Sequence, residues 1–188
     1  MNLVERIKNI LMQPRLEWPK IAAEPATTQS VYVNYVMILA AIGPVAIIVR
    51  TLGAGAPLAL ITYLIALAVV FLLAWIVDAL APTFGGHKNF VQSLKLVAYS
   101  YTAAWVAGVF QLLGGVGGIL GFIAAIYSWY TLYLGLPVMK GCPADKAVGY
   151  TIVVVICGVL LGALLGSVLI SLLIGGSMMG AGSMGLWR

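Results

Sequence analysis

Five apolar runs, at about residues 31–52, 58–81, 94–113, 116–138 and 149–174, constrain this chain more than any other feature. Each approaches the ~20 residues that an α-helix needs to cross about 30 Å of hydrocarbon. Only 8% of the 188 residues are charged and 63% are hydrophobic, so a soluble fold of this size lacks the polar surface it would need and lipid must act as the solvent. The expected fold class is all-α, a polytopic transmembrane five-helix bundle with a short N-terminal amphipathic surface helix.

The basic residues fall on one side of this pattern. Arg6, Lys8, Arg15 and Lys20 precede the first run, Lys88 and Lys95 lie between the second and third, and Lys140 and Lys146 lie between the fourth and fifth. Arg50 and Arg188 take the other side. By the positive-inside rule the N-terminus is expected in the cytoplasm and the C-terminus outside it, as an odd number of crossings requires. The net charge of +5 then marks orientation and attraction to anionic lipid. It is no nucleic-acid footprint, because no basic face with interleaved aromatics projects from a soluble domain. The first run is long enough to stay in the bilayer and reads as an uncleaved anchor. Cys142 and Cys157, separated along a mostly helical stretch, read as reduced thiols.

Residues 1–30 read as a cytoplasmic amphipathic helix and a Pro-rich lead-in. Leu3, Val4, Ile7, Ile10 and Leu11 recur at helical spacing with Glu5, Arg6, Lys8 and Asn9 opposite, and Pro14 marks the stop. Leu3, Ile7 and Ile10 either grip the headgroup region of the membrane or pack on the underside of the bundle. Pro14, Pro19 and Pro25 predict an extended or kinked connector, with Trp18 as an interfacial anchor. The bundle itself occupies residues 31–174, and the Gly- and Met-rich residues 175–188 read as a flexible extracytoplasmic tail.

Glycines cluster at Gly114, Gly115, Gly117, Gly118 and Gly121. They do not complete a phosphate-binding spacing, since Leu120 stands where the third glycine would be and no GK[ST] follows. A tight turn between helices accounts for them. Gly158, Gly162 and Gly166 repeat in small-xxx-small register in the fifth run and predict a helix-packing face. That face lies inside the bundle by preference, or between copies of a homo-oligomer or against another membrane protein.

Asp78 is the one acid inside a run, and an ionised carboxylate at membrane depth costs up to ~3 kcal/mol unless paired or wetted. It also lies at the C-terminal, partially negative end of its helix. Lys88, Lys95 or tyrosine hydroxyls are the expected compensating partners, with interfacial water as the alternative. Tyr99, Tyr101, Tyr127 and Tyr130 fall at similar depth. Together with Asp78 they outline either a candidate polar vestibule open to the cytoplasm or an aromatic belt with ordinary interhelix hydrogen bonds.

Enzyme signatures are not found. His87 is the single histidine and has no ligand partner at metal-binding spacing; GxSxG, HExxH and paired intramembrane carboxylates are missing too. No catalytic, cofactor or metal-ligating residue is assigned. Five spans do not divide into the two equal repeats typical of single-chain carriers.

Two stretches, KNFVQSLKLVAYSYTAAWVAGVF from Lys88 and YLGLPVMKGCPADKAVGYTIVVVI from Tyr133, resemble the bacterial branch of the Yip1 family, as does the N-terminal PRLEWPKIAAEP. The resemblance covers essentially the whole chain. It implies a five-span domain with a cytoplasmic N-terminus in a bacterial inner membrane. Eukaryotic relatives act in membrane traffic and associate with Rab GTPases and with one another. The long N-terminal arm and the DLYGP-type motif of those relatives are not in this sequence, so Rab binding does not carry over. Two functions follow as expectations: a non-enzymatic, membrane-organising scaffold, or alternatively a permease or channel for small solutes or ions.

Overall fold

The computed structural model describes residues 2–184 and consists of helices packed as one bundle. Two short helices, α1 (Leu3–Met12) and α2 (Pro14–Ala23), precede five longer ones. These are α3 (Thr28–Arg50), α4 (Ala56–Phe84), α5 (Phe90–Leu113), α6 (Gly115–Lys140) and α7, which begins at Ala144. Each of the five has the length and apolar composition to cross a membrane.

Helix α1 starts where Asn2 accepts a hydrogen bond from the Val4 N–H, an N-cap that satisfies one of the free donors of the first turn. It ends at Met12, but Pro14 opens a second helix instead of an extended connector. Proline at the first helical position loses no hydrogen bond, because that N–H would have no helical acceptor. Pro19 does remove a bond from the middle of α2; burial of Trp18 and Ile21 in the core offsets it.

The helices alternate in direction, so the ends of α4 and α6 and the starts of α5 and α7 meet at one end of the bundle, beside α1 and α2. Lys88, Lys95, Lys140 and Lys146 collect there, and it is called the basic end below. Helix α5 is central and contacts α3, α4 and α6. Its residues from Ser93 to Ala98 are all buried. Helix α3 contains one π turn over Tyr32–Val36, closed by the Met37 N–H on the Tyr32 carbonyl.

The turn between α5 and α6 is as tight as the glycine cluster predicts. Gly114 adopts φ +65°, and a β-carbon on Gly117 would lie 1.9 Å from the Phe110 carbonyl oxygen, so α6 can start only where glycine allows that approach.

Helix α7 packs on α4 and α6 but is the least covered of the five. Only 6% of its apolar stretch is buried, against 44% for α5. The helix continues to Met184, across most of the segment expected to be an aperiodic tail. Residues 185–188 of that tail lie outside the described residues.

Candidate functional site

Asp78 lies nearly two turns before the end of α4, and its partner is Lys140, the last residue of α6. The ammonium donates to Asp78 Oδ1 at 2.8 Å, to Ser93 Oγ at 2.7 Å and to the Asn89 carbonyl at 3.2 Å. All three of its donors are thereby used. The same carboxylate oxygen accepts the Asn89 backbone N–H at 2.7 Å and lies 3.0 Å from the Ser93 hydroxyl. Lys140 is fully buried and Asp78 largely so. Neither Lys88 nor Lys95, the partners expected from loop position, makes this bond. Those two share its side of the bundle, but the end of α6 comes to the same level because it runs parallel to α4.

This placement also answers the helix-dipole problem. Asp78 is at the unfavourable end of α4, but it takes the N–H of Asn89, the residue capping α5, and so sits at that helix's positive end. Lys140 occupies the negative end of α6. The loop from Gly85 to Asn89 closes over the pair, with the His87 N–H on the Lys140 carbonyl at 2.9 Å. Tyr150 then joins α7 to the same layer: its hydroxyl donates to the Val77 carbonyl and its ring stacks on Phe84 at 4.6 Å.

A second polar layer lies on the other face of α5. Ser93 and Lys95 are two residues apart, which turns their side chains about 200° around the helix. Lys95 is buried and donates to the carbonyls of Ile21 and Glu24, both at 2.6 Å, at the C-terminal end of α2. Gln92 adds a bond to the Ala22 carbonyl at 3.0 Å. Arg6 reaches from α1 to Glu17 at 2.7 Å and to Glu24, and Lys20 pairs with Glu17 at 3.2 Å. The Arg6 guanidinium also lies over the Tyr99 ring, 5.7 Å from its centre. Together these groups fasten α1 and α2 to the bundle.

Trp18 belongs to that fastening and is not an interfacial anchor. It is fully buried, and its indole N–H donates to the Thr131 carbonyl at 3.1 Å. Gly135 makes room for the ring: a β-carbon there would come within 2.6 Å of Trp18 Cε2 and 2.5 Å of Leu96 Cδ1. Of the other residues expected at the membrane surface, Ile10 is buried, and Leu3 and Ile7 pack against the core. Apolar side chains gain as much by covering the bundle as by entering lipid, and Arg6 on the same helix draws α1 onto its carboxylate partners.

The tyrosines expected to share a vestibule with Asp78 do not meet at one site. Tyr99 lines a cavity with Arg6 and Glu24, Tyr101 a second one with Gly158, and Tyr127 and Tyr130 a third beside Pro14. The Tyr127 hydroxyl donates to the Leu11 carbonyl at 2.6 Å. Asp78 faces Lys140. The direction each side chain takes around its helix depends on packing.

Of the three α7 glycines, Gly158 meets the bundle, with Leu73 and Tyr101 within van der Waals reach of a β-carbon built on it. Gly162 and Gly166 have open space at that position. Among the described residues, no group of three or more His, Cys, Asp or Glu side chains is placed to hold a metal ion. Both cysteines are free thiols, and burial pushes that of Cys142 up in pKa.

Lys140, which the sequence offers only as a marker of orientation, and Lys95, expected there as a partner of Asp78, are the buried residues whose actual contacts sequence reasoning missed. A signal for Lys140 did exist: two helices that run the same way end at the same depth, one near an acid and the other on a lysine. Comparison with known proteins gives one positive result. A family model described as the Yip1 domain matches residues 8–166. No curated protein and no solved structure matches the chain.

Proposed function

The chain belongs to the Yip1 domain family, and from that premise we propose that it is a non-enzymatic multi-pass membrane protein that organises its membrane by associating with other helices. The observation that carries this reading is how the ionisable groups at the basic end are used. Lys140 spends every donor inside the protein, and Lys95 and Arg6 bind carbonyls and carboxylates that fasten α1 and α2. Such groups hold a scaffold rigid and leave none poised as nucleophile and base.

The surface offered for association is the outer half of α7. It is the least covered of the five spans, and Gly162 and Gly166 would let a second helix approach closely. By the charge asymmetry, the basic end faces the cytoplasm, and the resemblance to the bacterial branch of the family implies a bacterial inner membrane as host. Lipid and a second copy, or another membrane protein, are the partners, and nucleic acid is not.

The test is Gly162→Leu. In membranes, a crosslinker that captures wild-type assemblies should leave the variant monomeric, with its thermal melt unchanged. Unaltered crosslinking would refute association through this face. The permease alternative makes a separate demand: proteoliposomes should pass small solutes or ions at a rate that falls with Asp78→Asn. We expect no such flux.

A further inference from the structure

A cavity of about 460 Å³ opens at the basic end between α1, the connector after α2, α3 and α5. Arg6, Glu24, Ser30, Asn34, Tyr35 and Tyr99 supply its polar wall. The ties already described do not exhaust these groups. Arg6 gives one N–H to Glu17 and one to Glu24, and a guanidinium carries five. The Glu24 side chain stays 45% exposed. Arg6 and Glu24 are the charged residues of its lining, one of each sign. An anionic group therefore meets spare donors, and a cationic group beside it meets an accessible carboxylate.

The backbone points the same way. Asn34 and Tyr35 belong to the π turn of α3, a departure from regular helix that recurs at functional sites. Val33 within the turn and Met37 and Ile38 directly beyond it are exposed and apolar. The cavity is thus polar at the membrane's edge and continuous with a greasy helix face leading inward, which is the layout of an amphiphile.

We propose that this cavity binds the headgroup of a phospholipid that carries both a phosphate and a primary ammonium, of the phosphatidylethanolamine class. The phosphate accepts the unspent N–H groups of Arg6. The ammonium donates to Glu24 and to the Asn34 amide oxygen, and the acyl chains follow Val33, Met37 and Ile38. A quaternary ammonium has no N–H for Glu24, and a headgroup with no cation sets an uncompensated phosphate near that carboxylate. The inference needs the bundle to lie in a membrane but does not depend on association through α7.

Protein in detergent is incubated separately with phosphatidylethanolamine, phosphatidylcholine and phosphatidylglycerol, and native mass spectrometry counts the lipid retained. Wild type should keep one phosphatidylethanolamine with at least about tenfold preference over the other two, a difference well above experimental scatter on the affinity scale. Glu24→Gln should reduce that preference to nearly none. Asn34→Trp, which fills the cavity from an exposed position that makes none of the ties, should abolish retention with an unchanged melting temperature, and it decides the matter if Glu24→Gln lowers the melt. Equal retention of the three lipids by wild type, or undiminished phosphatidylethanolamine on Asn34→Trp, would overturn the assignment. Soluble phosphoethanolamine binding as tightly as the lipid would overturn the lipid as its source.

Discussion

Lys140 and Asp78 bring the ends of two helices 62 residues apart in sequence to a contact of 2.8 Å. Each charge also meets a helix terminus of opposite sign, since Asp78 accepts the N–H of the α5 cap and Lys140 ends α6. A carboxylate that would be expensive alone at this depth becomes the centre of a layer joining α4, α5 and α6, with α7 attached beside it through Tyr150.

Lys95→Met should loosen α2 without unfolding the bundle. The substitution keeps the length and apolar stem of the side chain but leaves the Ile21 and Glu24 carbonyls without their buried donor, a loss of about 1–3 kcal/mol. Hydrogen exchange should rise across residues 14–27 and remain at the wild-type level in the core of α5.

Gly135→Val should displace α2 through Trp18. Its β-carbon would fall inside contact distance of both the indole and Leu96, and α6 cannot retreat because α5 packs against it. Trypsin cleavage at Arg15 and Lys20, both exposed, should accelerate at least about tenfold, as expected when local opening loses roughly 1.4 kcal/mol of protection.

Cys142 should alkylate slowly until the pH is well above the ordinary thiol range of about 8.5. Burial disfavours its thiolate and pushes the thiol up. In Cys157→Ser protein, the labelling midpoint should therefore lie above that of the unfolded chain. Because the folded pKa is the higher one, any stability the thiol contributes is complete below the unfolded value and lost as pH rises through the folded value. A labelling midpoint equal to that of denatured protein would contradict the burial.

The five crossings were legible because hydrophobic length is a local property that each segment carries by itself. The Gly114 turn was legible for the same reason. The cost of Asp78 was legible too, but its partner was not, because the bond to Lys140 depends on which helices become neighbours. Trp18 is the sharpest case. An indole beside prolines ahead of a span has the composition of an interfacial anchor, and only the notch at Gly135, on a helix more than 100 residues later, turns it into core. The separate directions of the tyrosines follow from contacts that periodicity does not encode.

The most direct measurement of whether the ionisable residues inside the spans act as structural ties is a double-mutant cycle on Asp78→Asn and Lys140→Met, read by reversible denaturant unfolding in lipid–detergent micelles. Each single variant strands one charge or polar partner and should cost about 3 kcal/mol or more. The double variant should cost little beyond either single change, giving a coupling of at least about 2 kcal/mol. Additive losses, or single variants as stable as wild type, would contradict a structural tie and return Asp78 to the role of a group waiting for a ligand.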